Sequence, residues 1–187
     1  LTDTICAQGI RATRTGGTWA SKYCQTRDCP RPDMRNWDVA PPPEYFDELA
    51  RVSQNQIIWG GNYFDLPPTR CFLVWRKPIS ENFTMAMCEY AWTSFNANAK
   101  WIEMPSQGKP GDPRFHPTQK PIALYTWILQ HYSKPGYRIL DTHVGSASSL
   151  IACHRAGLPF VGFELDATYY ALAKERLDAE MAQMRLF

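Results

Sequence analysis

The 187-residue sequence has no apolar run approaching the roughly 18–20 residues that a helix needs to cross a bilayer. A transmembrane helix is therefore not expected. The first residues, LTDTICAQGIRATRTGG, lack the apolar core of a secretory leader, so the expected location is the cytoplasm. Net charge is also scant: Lys+Arg 20 against Asp+Glu 18 leaves +2, too little by itself to announce a polyanion binder. Cys24 and Cys29 are spaced like half of a zinc site, but no matching Cys or His pair follows, so no metal is expected. Cys71, Cys88 and Cys153 lie in apolar runs and read as buried, reduced thiols. The length suits one domain over 1–187 and would cramp two.

What the sequence does hold is an uneven distribution of aromatics and basic residues. Between Arg11 and Arg35 stand Arg11, Arg14, Lys22, Arg27, Arg31 and Arg35 against Asp28 and Asp33, with Trp19, Tyr23 and Trp37 interleaved. Such a stretch suits tracking a nucleic-acid backbone and stacking on bases, and equally suits a solvated surface loop. Apolar positions Tyr45, Phe46, Leu49 and Val52 then recur at helical spacing behind a proline run. QIIWGGNYF reads as a buried strand ending at Gly60-Gly61, CFLVWRK as a second, and 83–95 as a further apolar run containing a strand. A Gly/Pro/Lys loop, PSQGKPGDPRF, divides the chain into halves at 1–105 and 116–187.

The second half alternates more plainly. PIALYTWILQHYS predicts a helix, RILD a strand, SSLIACHRAG a helix stopping at Gly157, PFVGFELD a strand, and the remainder a long amphipathic helix capped by Asp166. Strand and helix in alternation predict an α/β fold with a doubly wound, mainly parallel sheet. Ligands of such sheets bind beyond the carboxyl ends of the strands. The loop Asp141-Thr142-His143-Val144-Gly145-Ser146-Ala147-Ser148 lies there, its small residues admitting a ligand close to the backbone. Glu164 closes the next strand, where a carboxylate can accept from both hydroxyls of a ribose. Loop and acid together still fit a nicotinamide or flavin enzyme, or simply a tight turn and a helix-start charge.

The block His116-Pro117-Thr118-Gln119-Lys120-Pro121 narrows the choice. HPTQKP, a helix, ILD, a Gly-Ser loop and an acid-tipped strand, in that order, resemble the S-adenosylmethionine (AdoMet) half of permuted, prophage-type DNA adenine-N6/cytosine-N4 methyltransferases. Upstream, NWDVAPPPEYFDELARVS, QIIWGGNYFDLPPTRCFLVWRKP and CEYAWTSF are similar to the target-base half of the same family. The resemblance implies a Rossmann-like methyltransferase fold, AdoMet as cofactor and double-stranded DNA as partner, with adenine N6 favoured over cytosine N4. It implies that Asp141, Thr142, His143, Gly145, Ser146 and Ser148 cradle the methionine end of AdoMet. Glu164 and Leu165 would hold its ribose side, and Thr118, Gln119 and Lys120 would line the pocket near its carboxylate.

In that family an Asp-Pro-Pro-Tyr motif holds the target amine and stacks on a flipped base. Here the matching position reads Asp3-Thr4-Ile5-Cys6, so Asp3 is the implied acid while the prolines and tyrosine are replaced. A relative that binds AdoMet or DNA without catalysis is the alternative this departure raises. Tyr63, after the glycine pair, is the aromatic expected to serve the base pocket; Trp59 and Trp92 read rather as core. Glu89, a charge inside an apolar strand, fits either an interior ion pair or the pocket. Ala147 stands where the family usually has glycine.

Overall fold

The computed structural model describes residues 40–82, 86–106 and 114–183, together with the backbone of 4–9. Within them, the β-branched and aromatic runs pair into a 7-stranded sheet. Its strands are β1 (Thr4–Gly9), β2 (Asn55–Trp59), β3 (Phe72–Arg76), β4 (Cys88–Thr93), β5 (Lys100–Glu103), β6 (Arg138–Asp141) and β7 (Phe160–Gly162). Across the sheet the order is β5-β3-β4-β2-β1-β6-β7. Every pairing is parallel except those that β4 makes with β2 and β3. The exception follows from chain length: residues 77–87 are too few for the crossover that a parallel return from β3 requires.

Four helices are described: α1 (Pro43–Val52), α2 (Ile122–Tyr132), α3 (Ser148–Ala156) and α4 (Ala167–Ala182). Pro43 starts α1 in the first turn, where its missing N–H costs nothing, with Glu44 near the positive end and Arg51 near the negative end. α3 stops at Gly157, which takes the left-handed conformation while Leu158 N donates back to Cys153 O at 3.0 Å. α4 begins at Asp166, whose carboxylate accepts from Thr168 N and Tyr169 N. None of these helices is long and apolar enough to cross a membrane.

The alternation of side chains along the strands divides the core between the two sheet faces. Ile57, Trp59, Leu73, Trp75, Ala91 and Ile139 pack with Leu124, Tyr125, Ile128 and Tyr132 of α2 and with Ala152 and Cys153 of α3. Ile58 faces the other way, onto Leu49 of α1, with Tyr45, Phe46, Phe64 and Trp92 around it. At about 25 cal/mol per Å² of apolar area buried, the larger face is the main source of stability.

Several features differ from the sequence reading. β5 arises from KWIE, where Trp101 is exposed and pairing with β3, not burial, makes the strand. Cys88 is exposed rather than buried, because on β4 it lies on the face opposite Ala91 and so away from α2; Cys71 and Cys153 are buried as expected. β7 ends at Gly162, so Glu164 lies just past the strand. α4 buries only Tyr169 and Ala173, less than a long amphipathic helix implies. Trp59 is 1% exposed and belongs to the core.

Candidate active site

The carboxyl ends of β6 and β7 carry a loop held by its own carboxylates. Phe163 N donates to Asp141 O at 2.9 Å and Val144 N to Phe163 O at 3.0 Å, so pairing continues past both strands. That continuation sets Glu164 beneath the loop. Its Oε2 accepts from Gly145 N at 2.8 Å and its Oε1 from Asp166 N at 3.0 Å. Each oxygen retains a second acceptor direction, so a ribose diol can still be received there.

Asp141 is almost wholly buried, and it is fixed by His143 N, which donates to Oδ1 at 2.9 Å, and by the Ser149 hydroxyl, which donates to Oδ2. Burial pushes its carboxyl up to about 6, with the Ser149 and His143 hydrogen bonds opposing the rise. At neutral pH it is thus an ionised carboxylate in a dry setting, an unfavourable state that a cationic ligand would relieve.

Further contacts shape the same loop. Gly145 has φ +55, and a Cβ there would meet the His116 ring at 3.2 Å, so glycine serves both the turn and the close approach. Ala147 also sits at positive φ, 60, which costs a non-glycine residue about 1–3 kcal/mol. The family's glycine at this place is thereby explained. Arg176 of α4 donates to Ser146 O at 2.5 Å and Ser148 Oγ at 3.0 Å, and Ser146 and Ser148 hydroxyls lie 3.0 Å apart. Thr142 Oγ1 meets Tyr45 OH at 2.6 Å, and the Tyr45 ring stands edge-on to His143 at 5.8 Å.

HPTQKP forms a wall against this loop. Thr118 N and Thr118 Oγ1 lie 3.3 and 3.1 Å from His116 Nδ1. Burial, with Lys120 and Arg114 nearby, holds the imidazole down at about 4, so it is neutral and Nδ1 accepts. The other side of the ring meets Tyr169 at 4.4 Å. Gln119 Oε1 accepts from Phe115 N at 3.3 Å, and Lys120 Nζ lies 3.2 Å from Glu89. Thr118 and Gln119 therefore fold the segment, and Lys120 ties it to β4.

Residues 53–175, well over half of the chain, match the family described as DNA methylase, N6_N4_Mtase. The chain belongs to the N6/N4 DNA methylase family. Among curated proteins it is 40% identical over 65 residues to the type II methyltransferase M.HpaI of Haemophilus parainfluenzae, covering 35% of this chain and 21% of that protein. It is equally 40% identical over 65 residues to the type II methyltransferase M2.DpnII of Streptococcus pneumoniae, covering 35% and 24%. The matched segment thus spans less than a quarter of either relative. The M1.HpyAVI–SAM complex superposes with a TM-score of 0.57 at 20% identity, over 94% of this chain and 88% of that one. The cytosine-N4-specific PvuII DNA methyltransferase gives 0.56 at 12% identity, over 100% and 81%. At these identities the likenesses establish the fold, the Rossmann-like fold of AdoMet-dependent methyltransferases.

Asp141, Thr142, His143, Gly145, Ser146, Ser148 and Glu164 lie together around this one loop. Leu165 is 96% exposed beside them and makes no core contact. Tyr63 is 59% exposed on a short 3-10 turn, Gly61–Tyr63, at the carboxyl end of β2. Gly61 is obligatory there, since a Cβ would stand 2.4 Å from Trp92 Cβ. Asp3 and the basic stretch 11–35 lie outside the described residues. Thr4 pairs with Arg138 at the amino end of β6, the end of the sheet opposite the 141–148 loop. The slot between β2 and β6 is filled by Thr4–Gly9, whose backbone pairs on both sides.

Sequence reasoning missed His116, Tyr45 and Arg176 as shapers of the loop. Only His116 carried a signal, as the first residue of the quoted block. A shallow groove of about 410 Å³ lined by Val74, Arg76, Met87, Cys88 and Trp101 lies over β3–β5, apart from this loop.

Proposed function

We propose that this chain transfers a methyl group from AdoMet to an exocyclic amine of a base in double-stranded DNA, adenine N6 in preference to cytosine N4. The observation that carries the reading is the enclosure of the 141–148 loop between the Glu164 carboxylate and the His116 ring. In this reading 1–187 is one methyltransferase domain of the permuted, prophage type acting in the cytoplasm, with the target-base half at 1–105 and the cofactor half at 116–187.

AdoMet, when bound, supplies an electrophilic methyl on a sulfonium centre. Asp141, ionised above about pH 6, faces the cationic methionine end, and the backbone of Thr142, His143, Gly145, Ser146 and Ser148 surrounds it. Glu164 receives ribose hydroxyls and Leu165 offers an apolar surface beside them. Thr118, Gln119 and Lys120 form the wall, acting through its shape. Tyr63 stacks on a base rotated out of the duplex. Asp3 is the acid that the family resemblance assigns to the amine hydrogens; because Thr4 pairs at the amino end of β6, away from the 141–148 loop, the Asp3→Ala comparison decides this role. The basic residues between Arg11 and Arg35 meet the phosphates.

A second reading, a non-catalytic AdoMet- and DNA-binding relative, draws on one observation: Thr4-Ile5-Cys6, which replace the usual residues, pair along β1 from the amino end of β6. Calorimetric titration with AdoMet, followed by mass spectrometry of nucleosides from treated duplex DNA, separates the two. N6-methyladenine, lost in Asp3→Ala, supports the enzyme. N4-methylcytosine moves the target base, and binding without any methylated nucleoside favours the second reading.

A further inference from the structure

Apart from the loop, the described residues bury one other ionic cluster, and it bridges the two halves. Lys77 Nζ lies 2.6 Å from Glu89 Oε1 and Lys120 Nζ 3.2 Å from Glu89 Oε2. Both lysine side chains are only 6% exposed. Each ammonium also stands over an indole, Lys77 at 5.0 Å from Trp75 and Lys120 at 5.4 Å from Trp59, and the two indoles meet edge-on at 6.3 Å. Burial would raise the Glu89 carboxyl, yet Lys120 and Lys77 together hold it down at about 2. One carboxylate therefore serves two buried cations, and it is charged at neutral pH.

The three residues come from separate places. Lys77 follows β3 and Glu89 lies in β4, both in the upstream half, and Lys77 N donates to Met87 O at 2.7 Å to brace the pair. Lys120 belongs to the wall whose His116 packs on Gly145. The wall is thus held at one end by Tyr169 against His116 and at the other by Glu89 against Lys120.

We propose that Glu89 is a positioning residue for cofactor binding: through Lys120 it fixes residues 116–120 against the Gly145 loop. The inference rests on the AdoMet reading above. It makes the cofactor site an assembly of both halves, closed by a charge that does not itself touch the ligand.

The test compares wild type with Glu89→Gln, and with Glu89→Asp in case the first fails to fold, since Asp keeps the charge but cannot span both lysines. AdoMet affinity is measured by calorimetry, and amide hydrogen exchange is followed over 114–121 in the ligand-free protein. The expected result for Glu89→Gln is about tenfold weaker AdoMet binding. Exchange should be faster in 114–121, with α4 unaffected. Glu89→Asp should fall between. In the transfer assay KM for AdoMet rises while kcat at saturation holds, a split that loss of general stability does not produce. Unchanged affinity and unchanged exchange in a folded variant overturn the proposal. If wild type binds no AdoMet, the cofactor reading fails, and exchange over 114–121 still decides whether Glu89 fixes the wall.

Discussion

Replacing Asp141 with Asn should make the ligand-free protein more stable while removing its affinity for AdoMet. Asp141 is 1% exposed, and its carboxyl rises from the ordinary 3.8 to about 6, burial being the main cause. At 1.36 kcal/mol per pH unit, keeping it ionised at pH 7.5 costs the fold about 3 kcal/mol. The sign follows directly. A group whose folded value lies above its unfolded value favours the fold fully below pH 3.8, progressively less up to about 6, and no further above. Asn is isosteric: its Oδ1 still accepts from His143 N, and its amide can donate to the Ser149 hydroxyl, reversing that bond. Asp141→Asn should therefore gain about 2–3 kcal/mol at pH 7.5, or roughly 4–12 °C in Tm for a chain of this size. Urea unfolding at pH 4, 5, 6 and 7.5 gives the comparison, and the difference between variant and wild type should grow from near zero at pH 4 to its plateau above pH 6. A variant that is less stable than wild type at pH 7.5, or a difference independent of pH, refutes the reasoning.

Three other predictions concern the same framework. Gly61→Ala places a Cβ 2.4 Å from Trp92 Cβ and should cost about 2–3 kcal/mol in chemical denaturation. Glu164→Gln turns an amide toward one of the two backbone N–H groups that the carboxylate serves; it should lose about 1–3 kcal/mol and weaken AdoMet binding in calorimetry. His116, held down at about 4, stays neutral in the fold, so its stabilisation is present above pH 6.5 and is lost as pH falls toward 4. His116→Asn should flatten that slope in a pH series of melting temperatures, and an unchanged slope would assign the acid lability elsewhere.

The elements with a strong period or a clear stop were legible in the sequence. α1 was announced by prolines and helical spacing, α3 by Gly157, and α4 by its Asp166 cap, because each signal is local. β5 was not, since KWIE is half polar and becomes a strand only by pairing with β3. The loop was legible as a loop because small residues follow a strand in an α/β order, where ligands of such sheets bind. Its supports were harder to foresee: Arg176 reaches Ser146 from 30 residues away, and Tyr45 reaches Thr142 from 97. Glu89 was recognisable as a charge out of place, but its two lysine partners come from positions distant in sequence, which only the fold brings together.

Methyl transfer itself tests the account most directly. The protein would be incubated with AdoMet labelled in its methyl group and with unmethylated duplex DNA, and the label recovered in DNA would be counted against an Asp3→Ala control. The account predicts label in the DNA at adenine, absent from the control. Binding of AdoMet with no label in DNA would contradict it and leave a methylase fold without its chemistry.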